Sequence, residues 1–403
     1  MELFWLEHKK LWRKKIVKIC VLLCFVYCVI FGSILSFQWF CFGSSDDYIS
    51  AFGNNFDGYT VIKDSQEYAL SFGGELTDET LQKIVSDYQQ MEADGMGEEL
   101  EKTDWQIVNS WLGTLYPELR DTSNYKTMIS YVDPDKLTGF YERRQQVLDE
   151  FLEVSGQVGA EKEFLHQIER KVEKPFHYEW VEGWSTLLGS MVADLGVVMA
   201  LFLGIVLSSL FAGEWHDNTS ALVLTTRNGW GKIALAKILT GLSFTVELFA
   251  LLAVSNVISQ LFFMGTAGWD MPIQNIKLIA VAPMNMLQAE IYEYAFVLLG
   301  AIGFAGIVMF ISAAVKNNVL TLLLSLAVVY GPMMIAEYLP YEMQKALDLI
   351  PLVGSSTDIF RTNTFRIFGK LIWSPYLLIT IPVLIGILCM PFAIKSWSRR
   401  MKA

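Results

Sequence analysis

The acidic middle of this chain, residues 43–183, lacks cysteine, so disulfide bonds cannot stabilise it. The chain's five cysteines, Cys20, Cys24, Cys28, Cys41 and Cys389, all lie in or beside apolar runs. The first three fall four residues apart, which places them on one face of a helix. A metal or redox site could use such a stripe. Because no histidine or carboxylate shares it, packing against a neighbouring helix is favoured.

Motifs of nucleotide hydrolysis and of common hydrolases are also missing. The sequence contains no G-x-x-x-x-G-K-[ST] loop for binding nucleotide phosphates, no His-Glu-x-x-His and no Gly-x-Ser-x-Gly. Its four histidines are scattered along the chain. We therefore expect no catalytic residue, metal or cofactor in this chain, and any ATP-driven work must come from a partner chain.

Basic residues are scarce in the middle of the chain. Residues 43–183 hold 29 Asp and Glu against 12 Lys and Arg, a net charge of −17, whereas the remainder carries +6. Nucleic-acid binding needs Lys and Arg that meet phosphates, so the composition excludes nucleic acid as a partner. An acidic, soluble domain is inserted into a basic membrane protein.

Long apolar runs dominate the rest, and hydrophobic residues make up 53% of the chain. Each run approaches or exceeds the roughly 20 residues that a helix needs to cross a bilayer. The six predicted spans are 16–42, 186–212, 238–264, 294–315, 319–336 and 371–394. The predicted fold is an all-α, polytopic membrane protein with six transmembrane helices.

Lys and Arg near the ends of the spans predict the orientation. Residues 1–15 alternate aromatic and basic side chains, which is typical of an amphipathic helix lying on membrane lipid. Both chain ends, including the tail 395–403, are basic, which places both termini in the cytosol. The loops 265–293 and 337–370 then lie outside with residues 43–183. The loop 337–370 agrees less well with an outside position, because basic residues favour the cytosolic side. It contains four of them, Lys345, Arg361, Arg366 and Lys370, beside four acidic residues.

Helical periodicity marks most of the predicted outer domain, 43–183. Apolar residues recur at spacings of three and four over 78–94 and over 135–174, with a glycine-containing break in the second stretch. The domain is therefore predicted to be mainly helical, and about 140 residues suffice for a core of its own.

The segment 213–237, between the second and third spans, concentrates polar residues on the predicted cytosolic side. It begins with Gly-Glu and continues through Thr, Leu-Thr-Thr, Arg and Gly to Lys. Together with the amino-terminal amphipathic helix, the six spans and the large outer insertion, this segment resembles the permease subunits of type-2 ABC exporters. The resemblance covers about 260 residues of the membrane part.

This resemblance implies a coupling helix in the segment 213–237 that docks in a groove of a cytosolic ATPase. The positions that match the family's coupling residues are Glu214, Thr219, Leu222, Leu224, Thr225, Thr226 and Arg227. It also implies two ATPase copies, which bind ATP and Mg²⁺, and a second permease subunit, identical or related. The alternative is an ordinary cytosolic loop.

Two acidic residues, Asp194 and Glu247, fall within predicted spans. Charges at such depth are costly, so both are expected to face a cavity, a partner or each other. One interpretation makes them polar points of a translocation path. The other is hydrogen bonding between helices or protonation in place.

The sequence thus predicts a multi-pass permease in a bacterial plasma membrane that exports an amphipathic cargo, such as a peptide antibiotic, a lipid-like molecule or a drug. The competing hypothesis is a sensor or scaffold whose outer domain binds a peptide or a cell-envelope component. Only the short tail 395–403 follows the last predicted span, which weighs against a cytosolic signalling output.

Overall fold

The computed structural model describes residues 2–42, 66, 73–96, 105–124, 126–188, 192–216, 231–354 and 362–399, except for the side chains at 28, 29, 31–42, 192–194, 216 and 399. The helices are α1 (Glu2–Arg13), α2 (Lys15–Phe42), α3 (Asp78–Ala93), α4 (Trp105–Leu115), α5 (Phe140–Val154), α6 (Ala160–Glu169), α7 (Glu182–Thr186), α8 (Val192–His216), α9 (Lys232–Met264), α10 (Met286–Ala314), α11 (Asn318–Ile335), α12 (Tyr341–Leu347) and α13 (Ser374–Arg399). Two antiparallel strand pairs are formed. The first pairs β1 (Gly74–Leu76) with β2 (Phe176–Tyr178), which are distant in sequence, and the second is a hairpin of β3 (Thr364–Ile367) and β4 (Lys370–Trp373).

Five described helices, α8, α9, α10, α11 and α13, are long and apolar enough to cross a membrane. The chain is therefore a mostly helical, multi-pass membrane protein. The first predicted span corresponds to α2, a helix of 28 residues. A count of six spans stays a prediction.

Helix α10 lies at the centre of the bundle and packs against α8, α9, α11 and α13. Its contact with α13 is the most extensive, because small residues let the two backbones approach. A Cβ atom added to Gly386 of α13 would lie 2.6 Å from Gly303 Cα. The small residues Gly300, Gly303 and Gly306 of α10 therefore serve close packing within this chain.

Substituting Gly386 tests this close approach. We expect Gly386→Ala to destabilise the bundle by about 1–3 kcal/mol, since backbone atoms of α10 cannot move aside for the new methyl group. Gly331→Ala is the matched control, because nothing lies within 4 Å of a Cβ at that helical position. Thermal unfolding of the purified protein in detergent measures both, and equal midpoints for the two variants would contradict the close packing.

We call the end of the bundle that carries Leu11 and Trp397 the basal end, and the opposite end, which carries the inserted domain, the distal end. At the basal end Trp397 of α13 packs against Phe211 of α8. There Ser312 of α10 also donates a hydrogen bond to the Ser208 carbonyl, at 2.7 Å. Sidedness relative to a real membrane stays a prediction.

The distal domain is assembled from three separate segments rather than from the insertion alone. Helices α3 to α6 and the β1–β2 strand pair supply most of its core. The connection between α9 and α10 adds Met271, Ile273 and Leu278 to the same core. The β3–β4 hairpin joins through Thr364, whose hydroxyl donates to Gln157 Oε1 at 2.8 Å. The loops predicted to share a side with the insertion thus lie at the same end.

The glycine-containing break predicted within the helical stretch 135–174 falls at residues 155–159, between α5 and α6. Two predicted span boundaries differ from the observed helix bounds. Residues 371–373, predicted as the start of the last span, belong to β4. The fourth span was predicted to begin at 294, but α10 begins at Met286, where Asn285 and Gln288 form a capping box.

Arg144 links the distal segments through a buried network. Its side chain is 0% exposed, and its Nη1 lies 2.6 Å from Glu169 Oε1. The guanidinium also donates to the carbonyls of Leu278, at 2.8 Å, and Ala280, at 3.1 Å. Lys174 Nζ approaches the same Glu169 oxygen at 2.9 Å. One arginine therefore holds α5, α6 and the α9–α10 connection together.

The protonation of Glu169 gives this network a pH dependence. Burial opposes ionisation of Glu169, but hydrogen bonds from Lys174 and Arg144 outweigh it and hold the carboxyl pKa below its usual value. A lowered folded-state pKa stabilises the fold above the unfolded pKa of about 4.3, and this contribution is lost as the pH falls through the folded-state pKa.

We therefore expect Glu169→Gln to lower the free energy of unfolding by about 3 kcal/mol at pH 7. When the pH is lowered below about 4, the variant should lose less additional stability than the wild type, because it has no carboxylate to protonate at this position. The control, Glu153→Gln, removes a fully exposed carboxylate that pairs with Lys162, and should leave the unfolding midpoint unchanged at pH 7. Thermal unfolding between pH 7 and pH 3 checks this. A Glu169→Gln profile parallel to that of the wild type would contradict it.

Candidate functional site

Four charged side chains meet at the basal end: Glu7, Lys10, Glu214 and Lys237, which we call the basal charge cluster. Lys237 Nζ lies 2.8 Å from Glu7 Oε2 and 2.9 Å from Glu214 Oε1. Lys10 Nζ lies 2.5 Å from the same Glu214 oxygen. Glu214 is 4% exposed and Lys237 is 2% exposed. Two charges of each sign make this burial tolerable, because each buried charge has an opposite partner.

The cluster joins three helices. Glu7 and Lys10 lie one turn apart on the same face of α1. Glu214 belongs to the last turn of α8, and Lys237 to the second turn of α9. Helix α8 precedes residues 217–230 and α9 follows them. The cluster therefore connects α1 to the helices on both sides of this segment.

Helix α1 makes a second polar contact with α9 at Glu247. Trp12 Nε1 donates to Glu247 Oε2 at 3.0 Å, and His8 Nε2 lies 3.3 Å from Glu247 Oε1. The Trp12 ring also packs edge-on against Phe244. These contacts favour the interpretation of Glu247 as a hydrogen-bonding residue between helices over a polar point of a translocation path. The side chain of Asp194 lies outside the described part of the structure.

The predicted coupling segment, 213–237, is shorter in the structure, because α8 continues to His216 and α9 begins at Lys232. Contacts of Trp215 explain the longer α8. Its ring packs against Trp397, and Lys316 Nζ lies 4.4 Å from the ring centroid. These contacts keep the last turn of α8 in the bundle.

Glu214 is buried in the bundle, and its predicted role in coupling to an ATPase stays a prediction. Its carboxylate is occupied by Lys10 and Lys237. The other predicted coupling residues lie outside the described residues: Thr219, Leu222, Leu224, Thr225, Thr226 and Arg227.

Sequence reasoning missed two buried carboxylates in the first turns of α10. Glu290 is 3% exposed. Glu293 is also buried. Acidic residues lower the mean hydropathy of a segment. The start of the fourth span was therefore predicted after Glu293, at residue 294. The capping box at Asn285 and Gln288 is the sequence signal that could have found them.

Within the part of the chain that the structure describes, no three His, Cys, Asp or Glu side chains are grouped to hold a metal ion. The basal charge cluster can serve a mechanical role, because its ion pairs connect α1, α8 and α9 so that a movement of one helix acts on the others. In comparisons with protein-family models, curated proteins and solved structures, no match to this chain was found.

Proposed function

We propose that this chain is the permease subunit of an ATP-driven exporter, which moves an amphipathic cargo outward across a bacterial plasma membrane. A separate cytosolic ATPase binds and hydrolyses ATP with Mg²⁺, because the sequence has no nucleotide-phosphate loop. Both termini and the basal end lie in the cytosol. Two ATPase copies act on a pair of permease subunits, identical or related.

The basal charge cluster carries this proposal. A force on residues 217–230 acts on the end of α8 and the start of α9, and the ion pairs of Lys237 transmit it to α1. In turn α1 connects directly to α2 and exposes Trp5 and Leu6, which suits contact with lipid. The cluster therefore supports a role for this end of the bundle as one coupled unit that a motor could move.

Affinity purification of the full chain tests the proposal. We expect an ATP-hydrolysing protein to co-purify with the wild type, and Thr225→Ala/Arg227→Ala to reduce its recovery while the chain stays folded. The control is Gln344→Ala, which changes α12 at the distal end. Loss of the ATPase with the control as well, or no ATP-hydrolysing protein in any sample, would count against the proposal.

A receptor whose distal domain binds an external ligand is the second candidate. A cavity in that domain favours it, as described below. The two candidates differ in the purification above, because a receptor of this kind needs no ATP-hydrolysing partner.

A further inference from the structure

The distal end contains a cavity of about 560 Å³, which is within the usual size range of small-ligand sites. Its lining comes from segments far apart in the sequence: α4 and the end of α5, residues 276–280, and α12 with residues 362–363. The cavity therefore forms only when the insertion, the α9–α10 connection and the region before β3 have assembled.

Aromatic and hydroxyl side chains share the wall. Trp111 and Tyr341 line the cavity with Phe151, which is 39% exposed. The Trp111 ring is held by its Nε1, which donates to the Asn275 carbonyl at 2.8 Å. Tyr341 donates to Asn363 Oδ1, which leaves the amide hydrogens of Asn363 as donors.

Further polar groups are neutral. Ser110, Thr114, Ser155 and Gln344 place hydroxyl and amide groups on the wall between the apolar side chains. A lining that combines hydroxyls, amides and aromatic side chains suits a ligand that carries both peptide groups and apolar side chains. An unbranched acyl chain would leave these polar groups without partners, which is unfavourable on burial.

The charge of the lining restricts the class of ligand that the cavity can bind. Lys277 is the one charged residue among the described residues that line this cavity, and its side chain is exposed to solvent. A single cation beside a neutral wall favours a ligand with one carboxylate over a polyanion.

We propose that this cavity binds the carboxyl-terminal end of a short apolar peptide. The terminal carboxylate pairs with Lys277, and an apolar side chain packs against Phe151 and Tyr341, the two exposed aromatic residues of the lining. Binding of this kind is a property of the distal domain and requires neither an ATPase nor transport, so it is independent of the exporter proposal.

Fluorescence anisotropy on the full-length, detergent-purified protein tests the site. The probe is the tripeptide Ala-Leu-Phe, labelled at its amino terminus, as the free acid and as the carboxyl-terminal amide. We expect the wild type to bind the acid about three- to fivefold more tightly than the amide, as an exposed ion pair provides. Lys277→Gln should bind both forms equally and with the affinity of the amide.

Two further variants control the location. Lys171→Gln removes an exposed lysine that lines a second distal cavity, of about 360 Å³, and should keep the preference for the acid. Phe151→Ser changes a half-exposed side chain, so the fold should persist, and both peptide forms should bind more weakly.

No binding of either peptide to the wild type overturns the proposal, as does equal affinity for acid and amide. If Lys171→Gln lost the preference for the acid and Lys277→Gln kept it, the peptide would bind in the second cavity. This result would also overturn the proposal. Decanoate is the competitor for an acyl ligand. Displacement of the peptide by decanoate at equal concentration would show that the peptide groups are not recognised, and would contradict the proposed ligand.

Discussion

Lys237→Met is expected to weaken the attachment of α1 to the bundle by about 3 kcal/mol. The substitution leaves the buried Glu214 with Lys10 as its remaining cation in the cluster, and it removes the partner of the half-buried Glu7. Removing one partner of a buried ion pair costs about 3–5 kcal/mol, and the low end applies because Lys10 still pairs with Glu214. Hydrogen exchange of residues 2–13 measures this weakening, and about 100-fold faster exchange is expected.

The control for this prediction is Lys232→Met, in the first turn of the same helix. Lys232 is exposed, so its replacement should change stability by less than about 0.5 kcal/mol. If α1 exchanged equally fast in both variants, the basal charge cluster would not be what holds α1. Adding Glu214→Gln to Lys237→Met should recover part of the loss, since it removes one of the two carboxylates that pair with Lys237 in the wild type.

Arg144→Met is expected to cost about 3–5 kcal/mol and to loosen the distal domain. The arginine is fully buried, and its loss removes three hydrogen bonds and the closest partner of Glu169. The carbonyls of Leu278 and Ala280 would also lose a donor. Exchange should therefore accelerate both in α5 and in residues 278–280, although these segments are far apart in the sequence.

The matched control is Arg170→Met, which removes an exposed arginine that pairs with Glu163 at 3.4 Å. Exposed pairs contribute little, so this variant should remain within about 1 kcal/mol of the wild type. Arg144→Lys should rescue only part of the loss, because an ammonium cannot replace the fork of the guanidinium. Acceleration confined to α5 in Arg144→Met would mean that the arginine does not join the segments.

Apolar runs predicted the helices of the bundle, because membrane-spanning segments are recognised by their own composition. Their ends were harder to predict. The start of α10 was placed eight residues late because Glu290 and Glu293 interrupt the apolar pattern, and their burial depends on neighbouring helices. The extension of α8 to His216 likewise depends on Trp397 and Lys316, which are distant in the sequence.

In the candidate site, too, local sequence patterns predicted some residues but not the contacts between distant parts of the chain. Sequence patterns drew attention to Glu214 and Glu247, but not to their partners. Lys10 and Glu214 are separated by 204 positions, and Trp12 and Glu247 by 235. Such pairs follow from how helices pack, which local periodicity does not encode. For the same reason the sequence predicted a distal domain made of one insertion, whereas residues from three segments build it.

The most direct test of the exporter proposal is site-specific photocrosslinking from Leu224, in the segment that the basal charge cluster supports. A photoreactive residue at Leu224 is predicted to crosslink to a protein that hydrolyses ATP, whereas one at the exposed distal residue Met343 is not. Crosslinking of the same ATPase from Met343 would contradict the account. So would Leu224 giving no ATP-hydrolysing product in cells that contain the folded chain.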